Sequence, residues 1–337
     1  VFGVHAIIPG QDFTTVRSNY PDEREQFFSN SLHPELYSDS LTATSLAFGV
    51  GSRPLRWISF GVSFTLSLTN SAAARTYVRD PVDYQKLQLD NEIRVTTGVA
   101  PHFGVVIDPN PRLRLSATLH TEQKLAIRTG ISATLPSGSE SSVELTETHH
   151  FVPWTAAVGG EVVALRTDEE RLALSWGFAL AAWSTYVGAH GERPGGGAVD
   201  LGFRDILRTT AGVRYDRGGL RTHADLQHHP SPVPPQIGRT NYVDNDRVGL
   251  AIGASHAVTV LGFSLRPGLT VVGHQLLRRH QLKRDELLRD EVPDGAVDRD
   301  LRPLPGTRGL QTNNPGWPGF ASEGYLLGAT AWIGAEY

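Results

Sequence analysis

Polar side chains that recur at alternate positions in the second half of the chain are the residues best suited to chemistry. Arg208 and Arg214 lie in one segment, and His223, Asp225 and Gln227 lie in the next. An arginine guanidinium binds a carboxylate through two parallel, charge-assisted hydrogen bonds, so an arginine here can hold the acidic group of a ligand. Charged side chains that face one another across a protein interior also pair and hold its shape. The sequence leaves both interpretations open.

Three further residues join this set through their positions. Arg266 lies in a later segment of the same kind, and Trp183 and Trp332 fall on the polar side by alternation. An indole ring fills volume, and it also offers an apolar surface along which an acyl chain can slide. The candidate ligand-binding residues are Arg208, Arg214, His223, Asp225, Arg266, Trp183 and Trp332.

No motif in the sequence predicts catalysis or a bound cofactor. The chain contains no G-x-S-x-G, no H-E-x-x-H and no cysteine, so the common signatures of serine hydrolases, zinc proteases and thiolate metal sites are missing. The pairs His149–His150 and His228–His229 stand at predicted strand ends. Neighbouring side chains on a strand point to opposite faces and chelate a metal poorly. We therefore expect no enzyme activity, no metal and no cofactor.

Strands with long apolar rows must position these residues. Every second residue from Tyr325 to Tyr337 is apolar, and the residues between them are small, polar or mixed. Thirteen residues at about 3.3 Å each span roughly 40 Å, which a tilt near 40° brings to about 30 Å, the thickness of a hydrocarbon core. The segments 57–70 and 172–186 repeat the pattern, and comparable strands carry serine, threonine and arginine in the opposite row. A dry β-sandwich core is therefore disfavoured.

Twelve strand-like segments follow one another, and the links between them alternate in length. Short turns at one end and long loops at the other are typical of an outer-membrane barrel. The short links fall at 52–56, 108–112, 166–170, 216–219 and 257–262. The strand-like segments are 1–9, 40–51, 56–70, 85–107, 112–131, 143–165, 171–188, 200–216, 219–228, 246–257, 260–275 and 322–337. Within the longest link, 276–291 is expected to form a short, highly charged helix. The predicted fold class is all-β, an antiparallel, up-and-down transmembrane β-barrel that forms one domain over 1–337.

Composition agrees with a barrel and argues against nucleic acid as a partner. The 337 residues include no Cys and no Met, 39% are hydrophobic, and the net charge is -4. No run of 18 apolar residues occurs, so any membrane crossing must use strands. The missing cysteine suits a chain that crosses an oxidising compartment unfolded, and the missing initiator Met leads us to expect that a signal peptide has been removed. Scattered charges of both signs give no footprint for nucleic acid.

Several motifs resemble the FadL/TodX family of outer-membrane transporters for long-chain fatty acids and other hydrophobic compounds. In 203–258 the shared features are Gly212 and Tyr215 late in a strand, a tight turn, a strand that ends in "SPVP", and then "DNDR". The stretches "FVPWTAAVGGEVVAL" (151–165) and "GVHAIIPGQDF" (3–13) resemble other strands of the family. The resemblance covers most of the chain in order.

The resemblance implies fourteen strands and an N-terminal hatch, and the hatch and first hairpin are missing here. We expect a parent chain longer by those parts, with closure at twelve strands through pairing of 1–9 with 322–337 as the alternative. In the family, ligands leave sideways through a gap at a strand kink, and Pro153, Pro101 and Pro267 are the candidates for such a gap. The terminal aromatic Tyr337 is expected to act as the barrel-assembly signal.

These features predict passive uptake of hydrophobic molecules, such as long-chain fatty acids, through the outer membrane of a Gram-negative bacterium. The expected partners are outer-membrane lipid and lipopolysaccharide, the hydrophobic ligand and the barrel-assembly machinery. The alternative is a FadL-like barrel that serves as a structural or docking subunit of an envelope complex for secretion or motility. An outer-membrane lipid hydrolase fits less well, because no Ser–His pair is recognisable.

Overall fold

The computed structural model describes most of the chain and leaves gaps mainly in the long links. The described residues are 2–7, 45–78, 87–134, 140–186, 201–260, 263–288, 290, 294–298, 302, 309–312, 314 and 316–336. Tyr337 and the loop segments 10–39 and 189–199 lie outside them, so the expected assembly role of Tyr337 stays a prediction.

Fifteen strands in the described residues join in one sheet. Their bounds are β1 Phe2–Ile7, β2 Ser45–Leu55, β3 Ile58–Val78, β4 Leu87–Asn110, β5 Leu113–His120, β6 Gln123–Thr134, β7 Glu140–Val152, β8 Thr155–Arg166, β9 Glu170–Ala181, β10 Ile206–Arg217, β11 Leu220–His229, β12 Arg247–His256, β13 Val258–Val260, β14 Phe263–Leu282 and β15 Gly319–Glu336. Two short 3-10 helices, Trp183–Thr185 and Asp285–Leu287, are the helices of this part of the chain. Neither is long or apolar enough to span a bilayer.

Twelve of these strands form an antiparallel meander that we call the wall. The wall contains all the strands except β6, β7 and β13. Its neighbouring strands follow the order β1-β2-β3-β4-β5-β8-β9-β10-β11-β12-β14-β15. The three-residue β13 pairs with β14 just past Ala257 and so prolongs β12. β6 and β7 lie outside this order: they pair with each other, and β6 also pairs in parallel with the end of β3, from Ala72–Thr129 to Tyr77–Thr134. The predicted all-β, antiparallel, up-and-down fold with about twelve strands is therefore confirmed.

The wall is open in the described residues, which differs from the predicted closed barrel. β1 pairs with β2 and β15 pairs with β14, and no described residue of β1 bonds to β15. A sheet closes only where its two edge strands bond each other. The two versions of closure, at twelve or at fourteen strands, therefore stay predictions.

Three predicted segments differ from the structure in their type or in their division into strands. The single strands predicted at 112–131 and 143–165 are each broken in two, into β5 and β6 and into β7 and β8. The predicted helix at 276–291 is wrong over its first half, since β14 continues to Leu282 through pairing with β15. The ladder supplies backbone partners there, and among the described residues of 276–291 the helical part is the short 3-10 turn Asp285–Leu287.

One face of the wall exposes large apolar side chains from β2 to β15, and we call it the apolar face. Phe178 is 44% exposed, Leu226 is 56% exposed and Ile252 is 55% exposed. Their cross-strand neighbours are apolar as well, Val158 beside Phe178 and Leu250 beside Leu226. An apolar surface that continues over so many strands is typical of an interaction with another apolar phase.

The opposite face, the polar face, carries small and polar residues. On β9 the alternation is complete, with Ala173 and Ala181 buried and Leu174 and Leu180 exposed. The edge strand β15 shows less contrast, because Trp332 on its polar side is also 41% exposed. The short connections β2–β3, β4–β5, β8–β9 and β10–β11 share one end, the turn end, and the long ones share the other, the loop end. The predicted sorting of loops is confirmed.

Candidate ligand-binding site on the polar face

Four basic side chains from neighbouring strands lie near the loop end of the polar face. They are Arg208 of β10, His229 at the end of β11, Arg247 at the start of β12, and His274 of β14. His229 is the direct cross-strand neighbour of Arg247, and the rings of His229 and His274 are 5.9 Å apart. Arg208 and Arg247 are close enough to repel each other, and both act electrostatically on His229. We call these four residues the cationic cluster.

A glycine on β12 makes room for this cluster. A Cβ atom at Gly249 would lie 2.3 Å from Nδ1 of His274, far inside van der Waals contact. The two residues are direct cross-strand neighbours, so only a residue without a side chain lets the imidazole lie over β12.

Nε of Arg208 and Nδ1 of His274, both in the cationic cluster, are buried without a hydrogen-bond partner in the described residues. Arg208 also approaches Oγ1 of Thr155 with Nη2, at 3.5 Å. Leaving a buried donor unpaired costs about 1–3 kcal/mol. An anionic group that accepts from Nε of Arg208 would remove this cost.

Five aromatic rings pack together at the loop end beyond Arg208. This aromatic cluster consists of Phe151, Trp183, Tyr186, Phe203 and Tyr242. The rings of Tyr186 and Phe203 are 4.7 Å apart, and those of Phe203 and Tyr242 are 5.2 Å apart. Ala181 of β9 pairs with Ile206 of β10. Trp183 follows Ala181 by two residues, and Arg208 follows Ile206 by two residues. Because the strands are antiparallel, Trp183 and Arg208 lie on opposite sides of this pair. The two clusters are therefore about 13 Å apart along the strands, which suits a ligand with a charged head and an apolar body.

Arg214 has a structural environment that differs from that of Arg208. Its Nη1 is 3.5 Å from Glu161, which also pairs with Arg171. Arg208 and Arg214 are six residues apart on β10, roughly 20 Å. They do not converge on one carboxylate, and the ion-pair interpretation applies to Arg214.

The other predicted residues are distributed over the polar face. Arg266 is buried at the turn end and donates from Nη1 to the carbonyl oxygen of Gly219 at 2.9 Å. The indole of Trp332 lies over Gly268, where a Cβ would be 2.5 Å from the ring. His223 and Asp225 neighbour Arg214 and Gly212 across the β10–β11 ladder. Of the seven candidates, Arg208 belongs to the cationic cluster and Trp183 to the aromatic cluster.

Sequence reasoning missed Arg247, His229 and His274. Alternation alone places each of them on the polar side, and their basic character was visible. The missing information was register, since the β11–β12 and β12–β14 ladders decide which residues are neighbours.

The wall is interrupted beside these clusters, and we call the interruption the wall break. The β5–β8 ladder ends at the pair His120 and Thr155. Beyond it, residues 121–122 and 153–154 leave the strands, and β6 and β7 pair with each other. Pro153 is therefore between strands and buried, which corrects its predicted place inside one strand.

The other two predicted prolines have different surroundings. Pro101 of β4 lies immediately past the last β4–β5 pair, and its carbonyl oxygen accepts from the backbone N–H of Thr121 at 3.2 Å. It therefore flanks the wall break. Pro267 lies where β14 passes from β12 to β13, and it stays paired with Ile333 of β15.

Residues 230–246 fold over the loop end through polar contacts with β14 and its continuation, and we call them the loop cap. The backbone N–H of Gln236 donates to Oε1 of Gln281 at 2.9 Å. Asn245 donates from Nδ2 to the carbonyl oxygen of Leu277 at 2.7 Å. Lys283 is buried and donates from Nζ to the carbonyl oxygens of Gly238 and Thr240, both at 2.7 Å.

The loop cap is expected to become more stable between pH 8 and about 10. Burial lowers the pKa of Lys283 to about 8, from an ordinary value of 10.5. In that window the unfolded segment binds more protons than the folded one, so raising the pH stabilises the folded loop cap. The measurement is the rate of proteolysis within 230–246, normalised to an unstructured peptide. Lys283→Met is the control, and a variant with the same pH dependence as the parent would contradict the assignment.

Comparisons with known proteins find similar solved structures. No protein-family model and no curated protein matches the chain. A FadL homologue of Pseudomonas aeruginosa shares 11% identity at a TM-score of 0.48 and covers 86% of this chain and 66% of its own. The toluene transporters TodX of P. putida and TbuX of Ralstonia pickettii share 12% and 14% identity at TM-scores of 0.43 and 0.42.

FadL and TodX are also the names of the family that the sequence motifs resemble. The match with TodX covers 64% of TodX and 71% of this chain, and the match with TbuX covers 63% of TbuX and 70% of this chain. The chain thus spans about two thirds of the structures it is similar to. The antiparallel all-β fold of the chain is established by its own strand pairings.

Proposed function

We propose that the chain forms an outer-membrane channel wall through which hydrophobic molecules pass without an energy source. The observation that carries this proposal is the apolar face, which exposes large side chains across the wall while the opposite face is polar. β8, β9 and β10 each contain 12 residues. Such strands span about 40 Å, or about 30 Å at the tilt usual in barrels, which matches a hydrocarbon core.

The ligand class that fits the polar face is a hydrophobic acid such as a long-chain fatty acid. Its carboxylate accepts from Arg208, whose Nε has no partner among the described residues. Its chain extends toward the aromatic cluster. Each buried methylene contributes about 0.8 kcal/mol, so eight of them contribute roughly 6 kcal/mol before ordering costs. That is enough for capture from dilute solution.

The proposed exit is the wall break. Pro101 and Pro153 flank it, and proline has no N–H with which to continue a ladder. A ligand that moves from the clusters through this interruption reaches the lipid phase without crossing the polar turn end. No step in this route makes or breaks a covalent bond, so the proposal includes no catalytic residue.

Uptake by cells tests the proposal. Bacteria that lack their own hydrophobic-acid channel and display this protein are expected to take up radiolabelled oleate faster than cells with an empty vector. Entry of a hydrophilic solute, such as a labelled disaccharide, is the control and should not rise. Equal acceleration of both solutes would indicate a general pore, and no acceleration of oleate would reject the channel.

The docking-subunit alternative keeps the same wall but assigns it a protein partner. Purification in mild detergent distinguishes the two proposals. A stoichiometric protein partner together with unchanged oleate uptake would favour the docking role. Lipid or fatty acid that co-purifies with a chain free of partners would favour transport.

A further inference from the structure

We propose that His102 and His120 bind a divalent transition-metal ion of the kind that imidazole prefers, namely Cu²⁺, Ni²⁺ or Zn²⁺. The two residues are direct cross-strand neighbours on β4 and β5, and alternation places both on the polar face. Their Nδ1 atoms are 3.1 Å apart, and their ring centroids are 4.6 Å apart. Adjacent histidines on one strand point apart, whereas these two point toward each other.

The separation of the two nitrogens matches a shared metal ion. Two nitrogens bound to one tetrahedral zinc at about 2.0–2.1 Å are about 3.3–3.4 Å apart. The observed 3.1 Å needs only a small opening of the pair. Two imidazole nitrogens at this distance share a single proton, and loss of that proton leaves both lone pairs free for one metal ion beside the line that joins them.

Thr65 fixes the orientation of one ligand. Its Oγ1 is 2.8 Å from Nε2 of His102. When this oxygen accepts the Nε2 proton, the lone pair of His102 is on Nδ1 and faces His120. A hydrogen bond to the distal nitrogen is the usual second-shell support of a metal-binding histidine.

The environment of the pair determines which ions bind best. Within the described part of the chain no third histidine, aspartate or glutamate joins the pair, so water fills the remaining coordination positions. Arg208 acts electrostatically on His120 and disfavours a further cation. The ion that forms the strongest bonds to nitrogen among the first-row divalent metals, Cu²⁺, is therefore expected to bind most tightly.

An ion bound by His102 and His120 is expected to hold β4 and β5 together beside the wall break. His102 and His120 form the last β4–β5 pair before the wall break. A bound ion joins the two strands at the edge of that interruption. This inference depends only on the pair and does not rest on the proposed transport of hydrophobic molecules.

The test titrates Cu²⁺ into metal-free protein in detergent and follows the bound ion by electron paramagnetic resonance. One ion with two nitrogen ligands is expected. His102→Asn and His120→Asn should each weaken binding by more than roughly 100-fold, since even a second-shell change costs about 10–100-fold. Thr65→Val keeps both imidazoles and should weaken binding about tenfold. His256→Asn is the matched control, because His256 is exposed at the end of β12, and it should bind as the parent does.

Two results would overturn the proposal. One is Cu²⁺ affinity that both histidine variants retain, which places the ion elsewhere. The other is the absence of any Cu²⁺ signal with two nitrogen ligands in the parent protein. Heat-modifiable migration on gels verifies that each variant folds. If the histidine variants do not fold, an affinity in Thr65→Val equal to that of the parent is the overturning result.

Discussion

Ala331→Arg is expected to lower the free energy of unfolding in lipid bilayers by about 2–4 kcal/mol, the cost of arginine on the lipid face near the midplane. Ala331 lies in β15 on the apolar face, where its neighbour across the ladder is Leu269, itself 52% exposed. The described residues next to Ala331 on this face, in the pairs Pro267–Ile333 and Val271–Ala329, offer an arginine no polar side chain. The guanidinium must therefore reach the interface or remain in hydrocarbon.

Thr330→Arg is the matched control for this substitution. Thr330 is the preceding residue of the same strand, and its cross-strand neighbour is Thr270 on the polar face. Both variants add one arginine to the same strand at nearly the same depth, and the charge lies on opposite faces in the two. Reversible urea unfolding in vesicles gives the comparison, with Thr330→Arg expected to cost less than about 1 kcal/mol. A larger cost at Thr330 than at Ala331 would show that the apolar face is not the lipid face.

Alternation made the two faces of the wall predictable from sequence. The row Leu174, Trp176, Phe178 and Leu180 was assigned outward because each apolar residue is two positions from the next, and all four are exposed. Side chains on a strand alternate strictly between faces. Facing is a local property, so a single sequence is enough to predict it once a strand is recognised.

Register and interruption were not predictable in the same way. Pro153 was a visible break signal, yet where β8 begins and which strand it then joins depend on β5 and β9. The contact between His102 and His120 follows from the β4–β5 register, which a bulge between Ile107 and Asn110 shifts. These pairings connect residues far apart in sequence, and alternation contains no information about them.

The candidate site illustrates the same limit. Arg208, Arg214 and Arg266 looked equivalent in sequence, because each is an arginine on the polar side of a strand. In the structure Arg214 lies beside Glu161, and Arg266 donates to the carbonyl of Gly219. Arg208 lies instead among other basic groups and near aromatic rings. All three are arginines, so residue type does not distinguish them. The groups that other strands place beside each one decide whether it is structural or a candidate for ligand binding.

Arg208→Gln is expected to weaken the binding of a hydrophobic acid by roughly 10- to 150-fold. Hydrogen bonds to a charged group contribute about 1.5–3 kcal/mol, and the glutamine keeps a donor but loses the charge and the fork geometry. An uncharged alcohol of the same chain length should bind the variant and the parent equally, since its chain packs against the same aromatic cluster. Binding is measured by displacement of a fluorescent fatty acid from protein in detergent.

Arg214→Gln separates a local role of Arg208 from a general effect of positive charge on the polar face. Both substitutions remove one arginine from β10, but Arg214 is paired with Glu161 and lies roughly 20 Å from Arg208 along the strand. Arg214→Gln should therefore leave the affinity for the acid unchanged while lowering stability at the turn end. If both variants weaken acid binding to the same extent, the cationic cluster is not the head-group site. If Arg208→Gln weakens binding of the alcohol as strongly as that of the acid, the arginine supports the packing of the aromatic cluster and does not bind a carboxylate.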